Sequence, residues 1–275
     1  SFKPNIACIL NINRNHLDRH KNMKEYIDSK SKIFKNQTIN QSLILNINDT
    51  YSKKFIQKTN SKIYYFGNKK NEKTNAYLEK DNLYVEINDK KEKICEIKNI
   101  KLIGKHNLEN ILSVCIMSKL LNVKNKYIKE VLNEFKGLPH RLELVSCYKN
   151  IFFINDSKAT TVDAVKKAIR SFNQPIILIM GGINKGGNFS LLKPEMKKVK
   201  KCILIGKSKN QIKKMIENFV SCKEAISLKE AVKIAWLNAK PNDCVLLSPG
   251  CSSFDMFQNF EERGNVFKKL VTNLK

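Results

Sequence analysis

The sequence predicts an α/β fold with two domains. Short apolar runs alternate with stretches whose apolar residues recur at helical spacing, which is typical of strands that alternate with helices. The 275 residues suffice for two ordinary domains, and a hydrophobic content of 42% suffices for their cores. Gly137 follows a helical pattern and Pro139 comes soon after it, a combination that ends helices. We therefore place a domain boundary between residues 1–136 and 137–275.

The first predicted domain enters a strand almost directly after Ser1. Apolar runs predict strands at residues 5–12, 42–47 and 63–67, and a hairpin formed by residues 77–79 and 83–87. Helical spacing predicts helices at residues 23–34, 102–120 and about 126–135. Because a domain seldom begins in the middle of a sheet, we expect upstream sequence to be missing.

The second predicted domain is organised around a strand, a polar loop and a helix. Four apolar residues at 151–154 suit a strand that is buried on both faces, and a helical pattern begins after Thr161. Further strands are predicted at residues 175–180, 202–205 and 243–247, with a helix at 228–238. This order is typical of a parallel sheet covered by helices.

The loop Asn155-Asp-Ser-Lys-Ala-Thr160 lies where a parallel sheet presents the carboxyl end of a strand. Thr160 or Thr161 can cap the following helix, whose free N–H groups and dipole attract anions. The same residue types also serve any solvated loop with a helix cap. From this stretch alone, both interpretations stay open.

The composition is strongly basic, with a formal net charge of +26. A nucleic-acid partner is therefore one hypothesis. However, nearly all of the positive charge is lysine spread along the chain, whereas bidentate recognition of bases or phosphates favours arginine. We expect no nucleic-acid partner.

The eight cysteines form no Cys-x-x-Cys pair and mostly fall inside apolar runs. They are typical of reduced core residues in a cytosolic protein. No apolar run approaches the roughly 20 residues that span a bilayer, and no signal peptide is recognisable. We expect a soluble cytoplasmic protein.

Three motifs together resemble those of the Mur ligases, and most closely those of the branch that adds D-glutamate. They are Gly137-Leu-Pro-His-Arg141, Asn155-Asp-Ser-Lys-Ala-Thr160 and Ser248-Pro-Gly-Cys-Ser-Ser-Phe254. The resemblance covers nearly the whole chain. It implies part of a P-loop-type central ligase domain over residues 1–136, followed by a Rossmann-like amino-acid-binding domain over 137–275.

The resemblance also implies an activity. Mur ligases of this branch use ATP and Mg²⁺ in peptidoglycan synthesis to join UDP-N-acetylmuramoyl-L-alanine to D-glutamate. The alanyl carboxylate takes the γ-phosphoryl group of ATP to give an acyl phosphate, and the D-glutamate amine then displaces phosphate. Small-molecule substrates, a monomeric state and no membrane partner are the matching expectations.

In the first domain, the resemblance assigns a metal site and an adenine site. His16 binds Mg²⁺ in the family pattern, and Lys30 is the lysine whose carbamate helps to hold the ion. A carbamate suits this role because Mg²⁺ prefers oxygen ligands. Asn107 and Asn110 lie three apart at a helix start, and the family pattern brings the second of them to the adenine; taken alone, such a pair is typical of helix capping.

In the second domain, the resemblance assigns nucleotide contacts to Arg141 at the phosphates and to Asp156 at the ribose. Lys158 joins His16 and Lys30 as a catalytic residue, because it and Arg141 offset phosphate charge. The D-glutamate site comprises Thr160, Lys185, Ser253, Phe254 and Phe260.

One departure from the family pattern concerns the P-loop. No complete Gly-x-x-x-x-Gly-Lys-[Ser/Thr] occurs, and the stretch ending in Gly206-Lys-Ser208 has Lys201 where the first glycine belongs. We interpret that stretch as an ordinary strand-to-helix turn. The UDP-binding domain of the family has no counterpart either, so we expect these residues alone to turn over little substrate.

Two other functions remain open from the sequence. A ligase of the folylpolyglutamate type would share the fold and the ATP chemistry, and a basic nucleic-acid-binding protein would explain the charge. Serine hydrolysis is disfavoured, because the serine-rich loop at residues 248–254 has no Gly-x-Ser-x-Gly elbow and no histidine after it.

Overall fold

The computed structural model describes residues 2–12, 20–102 and 104–274, without the side chains of residues 105 and 106. The chain divides into two compact units, Ser1–Phe135 and Lys136–Lys275. Each unit is built on a six-stranded sheet covered by helices, so the predicted α/β class is confirmed. No helix within the described parts of the chain is long and apolar enough to cross a membrane.

Unit 1 has a mixed sheet with the strand order β1-β2-β3-β4-β5-β6. Its strands are β1 (Ile6–Ile9), β2 (Ser42–Asn46), β3 (Lys62–Phe66), β4 (Thr74–Glu79), β5 (Asn82–Ile87) and β6 (Lys90–Glu96). Its helices are α1 (Met23–Ser31), α2 (Ser52–Ile56), α3 (Lys105–Leu120) and α4 (Asn125–Glu134). Strands β1 to β4 pair in parallel, and β4, β5 and β6 form an antiparallel meander.

Both faces of this sheet are covered. On one face, α3 and α4 pack their apolar stripes against alternate residues of β2 to β6, with Leu112 and Ile116 fully buried. On the other face, Tyr26 and Ile27 of α1 and Phe55 of α2 pack against β2. Apolar residues on both sides of the central strands therefore fix the helices on both faces.

Unit 2 has the strand order β11-β10-β9-β12-β8-β7. Its strands are β7 (Glu143–Tyr148), β8 (Ile151–Asn155), β9 (Ile176–Gly181), β10 (Val199–Ile205), β11 (Cys222–Glu224) and β12 (Cys244–Leu247). Its helices are α5 (Val162–Arg170), α6 (Lys209–Ile216), α7 (Leu228–Asn238) and α8 (Phe260–Thr272). All neighbours pair in parallel except β7, which runs antiparallel to β8.

The strand order of unit 2 reverses direction at β12. After β8, the chain leaves one strand position empty and adds β9, β10 and β11 in turn towards one edge of the sheet. It then returns through α7, and β12 fills the empty position between β9 and β8. Helices α7 and α8 share one core with the sheet, whereas α5 and α6 bury their apolar stripes outside that core. The connections that leave β8 and β12 therefore go to opposite faces, which creates a crevice at their carboxyl ends.

The sequence prediction missed two edge strands and one short helix, which are β6, β7 and α2. In β6 the run Lys90-Lys-Glu-Lys93 resembles a solvated loop, and only Ile94 and Cys95 of that strand are buried. Charged residues on edge strands prevent pairing with other chains. The predicted helix over residues 23–34 is α1 followed by a 3₁₀ turn at Lys32–Phe34.

Candidate functional site

Three loops of unit 2 meet at the crevice between β8 and β12. They follow β8 (residues 156–161), β9 (182–188) and β12 (248–259). The backbone N–H of Gly250 donates to Ala159 O at 2.8 Å, which joins the first loop to the third. Ile183 and Ser252 exchange backbone hydrogen bonds of 2.9 and 3.1 Å, which joins the second to the third. The loops therefore form one framework at the edge of the sheet where α/β proteins bind ligands.

Asp156 lies at the centre of this framework. Its carboxylate accepts hydrogen bonds from Ser248 Oγ at 2.8 Å and from the backbone N–H of Leu142 at 3.3 Å. Burial raises its pKa to about 7, although both hydrogen bonds and the charge of Arg141 act in the opposite direction. Desolvation of the charged form therefore outweighs three favourable contacts. Asp156 is held in place and can exchange a proton near neutral pH.

Arg263 of α8 joins two of the loops through hydrogen bonds of its side chain. Its guanidinium donates to Ser157 Oγ at 2.9 Å and Ser157 O at 2.8 Å, and to Cys251 O at 3.2 Å. The side chain is fully buried, and burial lowers its pKa to about 10. Its planar fork donates to carbonyl groups of both loops at once. Arg263 thus positions the loops that carry the predicted residues.

His140 forms a second support beneath the loop after β8. Asn155 Nδ2 donates to His140 Nδ1 at 3.0 Å, and the backbone N–H of Lys158 donates to His140 O at 3.0 Å. Burial, together with the charge of Lys268, lowers the pKa of His140. A neutral imidazole that accepts at Nδ1 is consistent with both observations. His140 precedes Arg141 in the chain and its carbonyl binds the N–H of Lys158, so this support fixes the backbone at both residues.

The predicted cations of unit 2 extend from this buried support to solvent. Arg141, Lys158 and Lys185 are exposed. Lys158 Nζ lies 5.5 Å from the ring centroid of Phe260, and Lys185 Nζ lies 5.9 Å from that of Phe254. Aromatic faces attract such ammonium groups and limit their positions. The rim of the crevice is therefore positively charged, which suits phosphate or carboxylate ligands.

The remaining predicted residues of unit 2 belong to the same three loops or begin α8. Ser253 is 2% exposed, whereas Phe254 is 65% exposed. Phe260 is the first residue of α8, and its carbonyl accepts a hydrogen bond of 2.8 Å from Ser157 Oγ. Thr161 rather than Thr160 caps α5, because its Oγ1 accepts from the N–H of Ala164 at 3.3 Å. Of the two threonines that the sequence left open, the second is the cap.

In unit 1, the predicted asparagines lie on the first two turns of α3. Asn110 Nδ2 donates to Asn107 Oδ1 at 3.2 Å, and Asn107 is buried. On the same helix, Glu109 accepts hydrogen bonds from Asn68 Nδ2 at 3.0 Å and Asn46 Nδ2 at 3.4 Å. Since Asn46 ends β2 and Asn68 follows β3, these contacts fasten the start of α3 to the carboxyl edge of the parallel strands.

The predicted metal site is described only in part. Lys30 is exposed in the last turn of α1, with Nζ 5.5 Å from the ring centroid of Tyr26. His16 lies outside the described residues. Among the residues that are described, no three His, Cys, Asp or Glu side chains converge on one point. Lys30 is accessible to solvent, as the formation of a carbamate from carbon dioxide requires.

Sequence reasoning missed Arg263, Asn155, Glu109 and Ser248 as parts of the site. Arg263 had a recognisable signal, because it falls on the apolar stripe that Phe260, Phe267 and Val271 form along α8. A cation at such a position has to find buried acceptors. The role of Glu109 depends on partners more than 40 residues away in sequence, so local patterns could not reveal it.

Comparison with known proteins gives two domain matches and many similar proteins. Residues 1–118 match the Mur ligase middle domain, and residues 140–251 match the Mur ligase, glutamate ligase domain. The UDP-N-acetylmuramoylalanine--D-glutamate ligase of Thermoanaerobacter sp. (strain X514) is 41% identical over 279 residues, which cover 100% of this chain and 62% of that protein. The protein of the same name from Clostridioides difficile (strain 630) is 40% identical, with coverages of 100% and 61%. The chain thus spans about three fifths of the length of these relatives.

Solved structures share the fold at lower identity. MurF from Acinetobacter baumannii superposes with a TM-score of 0.74 and 17% identity, covering 99% of this chain and 60% of that one. UDP-N-acetylmuramate-alanine ligase MurC from Thermotoga maritima has a TM-score of 0.69 and 18% identity, with coverages of 100% and 61%. E. coli FolC in complex with DHPP and ADP has a TM-score of 0.70 and 14% identity, with coverages of 98% and 62%.

Proposed function

We propose that this chain, which belongs to the Mur ligase family, is part of an ATP-dependent ligase that joins D-glutamate to UDP-N-acetylmuramoyl-L-alanine. The observation that carries the proposal is the framework of three joined loops in unit 2. It brings a hydroxyl residue, Thr160, to the same edge as the ammonium of Lys185 and the buried Ser253. Such a set suits an acidic amino acid, which presents carboxylates to hydroxyl and ammonium donors.

Nucleotide contacts are proposed for each unit separately. In unit 2, Asp156 would accept hydrogen bonds from a ribose, and Arg141 would contact the phosphates. In unit 1, Asn110 would contact adenine from the second turn of α3, supported by its hydrogen bond to Asn107. The amides and the carboxylate are held by buried contacts, so little ordering would be needed when nucleotide binds.

The implied chemistry transfers a phosphoryl group to a carboxylate and then forms an amide. Both reactants of the first step are anions, so the site has to offset their charge. Lys158 and Arg141 supply the offsetting positive charge at the rim of the crevice. The backbone that carries them is fixed by His140 and Asn155. Mg²⁺, held by His16 and the carbamate of Lys30, would supply further neutralisation of the phosphates.

D-Glutamate would occupy the edge formed by the three loops. Lys185 would pair with one of its carboxylates, and Thr160, Ser253, Phe254 and Phe260 would surround the rest. Since Lys185 is exposed beside the ring of Phe254, its ammonium is available to a ligand without breaking a buried ion pair. We expect this residue to contribute strongly to affinity.

The first experiment measures D-glutamate binding to the 275-residue chain by calorimetry, with ADP and Mg²⁺ present. We expect selective binding of the D-isomer over the L-isomer, and at least tenfold weaker binding by Lys185→Ala, since a charge-assisted pair contributes about 1.5–3 kcal/mol. Lys193→Ala is the matched control, because Lys193 Nζ also lies over a phenylalanine ring, 5.1 Å from the centroid of Phe219, but outside the three loops.

Equal binding of both isomers, or unchanged affinity in Lys185→Ala, would contradict the D-glutamate assignment. The folylpolyglutamate alternative receives support at the level of fold alone, since E. coli FolC is 14% identical whereas the D-glutamate ligases are about 40% identical. In a full-length protein, the dependence of ATP cleavage on the added amino acid separates these two ligase types.

A further inference from the structure

Two cysteines face each other at the edge of the sheet in unit 2. Cys202 of β10 and Cys222 of β11 are paired in register on neighbouring parallel strands. Neighbouring strands lie about 4.8 Å apart, which is within the Cα separation of disulfides. Both are free thiols; they interact with each other so that their pKa values shift, and Cys222 Sγ also donates a hydrogen bond of 3.4 Å to Val220 O. Cys202 is fully buried, whereas Cys222 is partly exposed, so solvent reaches one of the two residues.

The surroundings make these two thiols unequal. The hydrogen bond from Cys202 lowers the pKa of Cys222, and the charge of Lys213 acts in the same direction, against partial burial and Glu217. The same hydrogen bond and complete burial raise the pKa of Cys202. The thiolate therefore forms on Cys222, where an oxidant can reach it. An accessible thiolate beside a second thiol is the arrangement found at redox-sensitive cysteines.

We propose that Cys202 and Cys222 form a reversible disulfide between β10 and β11 when the protein meets hydrogen peroxide. The Cys222 thiolate attacks one peroxide oxygen, so that the O–O bond breaks and the departing hydroxide takes a proton to become water. The Cys202 sulfur then attacks the sulfenic acid of Cys222, and the hydroxyl leaves with the thiol proton as a second water. The two sulfur atoms are oxidised, and the peroxide is reduced.

The other cysteines of the chain lack this combination. Cys147 is exposed, but it lies on β7 at the opposite edge of the sheet from β11. Cys95 and Cys115 are close enough for their charges to interact, yet both are buried. Formation of a disulfide by the pair at the β10–β11 edge needs no strand movement to bring its partners together.

The test treats the native chain with hydrogen peroxide, quenches with catalase, alkylates the remaining thiols and maps peptides by mass spectrometry. We expect one crosslinked peptide pair containing Cys202 and Cys222, with the other six of the eight cysteines still open to alkylation after unfolding. Dithiothreitol should restore both thiols. In Cys202→Ala, we expect the sulfenic acid of Cys222 to persist and to react with dimedone.

Cys147→Ser is the matched control, because it removes an exposed thiol that has no role in the pair, and the crosslink should form in it unchanged. The proposal is overturned if Cys147 oxidises while Cys202 and Cys222 remain alkylatable. It is also overturned if the crosslink appears only in urea, since the folded strands would then be holding the two thiols apart. Circular dichroism of each variant shows whether it is folded before treatment.

Discussion

At the scale of single residues, Asp156 shows how burial can outweigh local hydrogen bonding. Its carboxylate has two hydrogen-bond donors and a nearby guanidinium, yet its pKa rises from an ordinary 3.8 to about 7. The neutral form is therefore favoured in the folded protein over much of the pH range below 7. This property follows from the position of Asp156 between β8 and β12, and the sequence motif alone does not contain it.

This raised pKa predicts a pH-dependent difference between the native chain and Asp156→Asn. Between about pH 4 and pH 7 the folded state binds a proton that the unfolded state releases, so the native chain loses stability as the pH rises through this range. Asparagine carries no such proton and can keep the contacts to Ser248 and Leu142. From pH 5 to pH 8, we expect Asp156→Asn to gain on the order of a few kcal/mol in unfolding free energy relative to the native chain.

Urea denaturation at a series of pH values gives this difference, and subtraction of the two proteins removes the other titrating groups. A difference that stays constant from pH 5 to pH 8 would show that the Asp156 carboxylate titrates in its ordinary range. A difference that becomes smaller as the pH rises would have the opposite sign to the expected change. It would mean that the carboxylate of Asp156 is stabilised in the folded state.

Single residues also set the limit of what the sequence could predict about the site. Asp156 and Lys158 could be recognised locally because they follow a predicted strand, whereas Lys185 was assigned from the resemblance to the Mur ligases. Arg263 and Asn155 contribute through contacts to other elements, such as the hydrogen bonds of Arg263 to Ser157 and Cys251. Which acceptors a buried cation meets depends on the packing of α8 against the loops, so local sequence patterns do not reveal them.

At the scale of elements, the packing of α8 against the loop at residues 137–142 depends on one glycine. A Cβ atom at Gly264 would lie 2.1 Å from His140 Nδ1 and 2.9 Å from His140 Cε1. The imidazole is buried and is held by Asn155, so it cannot swing away without losing that hydrogen bond. Glycine in a helix interior costs roughly 0.5–1 kcal/mol relative to alanine, and close approach to the ring explains its presence.

We expect Gly264→Ala to lower the unfolding free energy by about 1–3 kcal/mol, because overpacking outweighs the gain in helix propensity. In a His140→Ala background the obstruction is absent, and the same change should raise it by up to about 1 kcal/mol. Urea denaturation of the two single variants and the double variant completes the cycle. Additive effects would mean that the ring of His140 and residue 264 are not in contact.

Elements with strong apolar patterns were predictable, and weakly patterned ones were not. The buried strands β8, β9 and β12 and the amphipathic helices α4, α5 and α7 are present where the apolar runs and stripes predict them. Strands β6 and β7 were missed because edge strands bury few side chains and carry charged or polar residues. The order β11-β10-β9-β12-β8-β7 depends on pairing between distant segments, which local periodicity does not encode.

At the scale of the whole molecule, the positive charge is a general property of the surface. The chain has 51 lysine and arginine residues against 25 aspartate and glutamate residues. Many acidic groups already pair with a lysine, as in Lys98 with Glu96 at 2.7 Å and Lys91 with Glu79 at 2.8 Å. Exposed pairs of this kind contribute little to stability. The lysines in excess therefore leave a net repulsion that opposes the compact state.

This repulsion predicts that salt stabilises the protein. Raising NaCl to about 0.5 M shortens the screening length to a few ångströms, so we expect the unfolding free energy to rise by on the order of 1 kcal/mol above its value at low ionic strength. Urea midpoints at both salt concentrations measure the change. The double variant Lys229→Glu, Lys233→Glu changes two exposed positions on α7 and reduces the net charge, so its salt response should be smaller. A urea midpoint that falls with salt would instead mean that attractive ion pairs outweigh the repulsion between the excess lysines. An equal salt response in the variant would mean that chloride acts on stability by a route other than screening of the net charge.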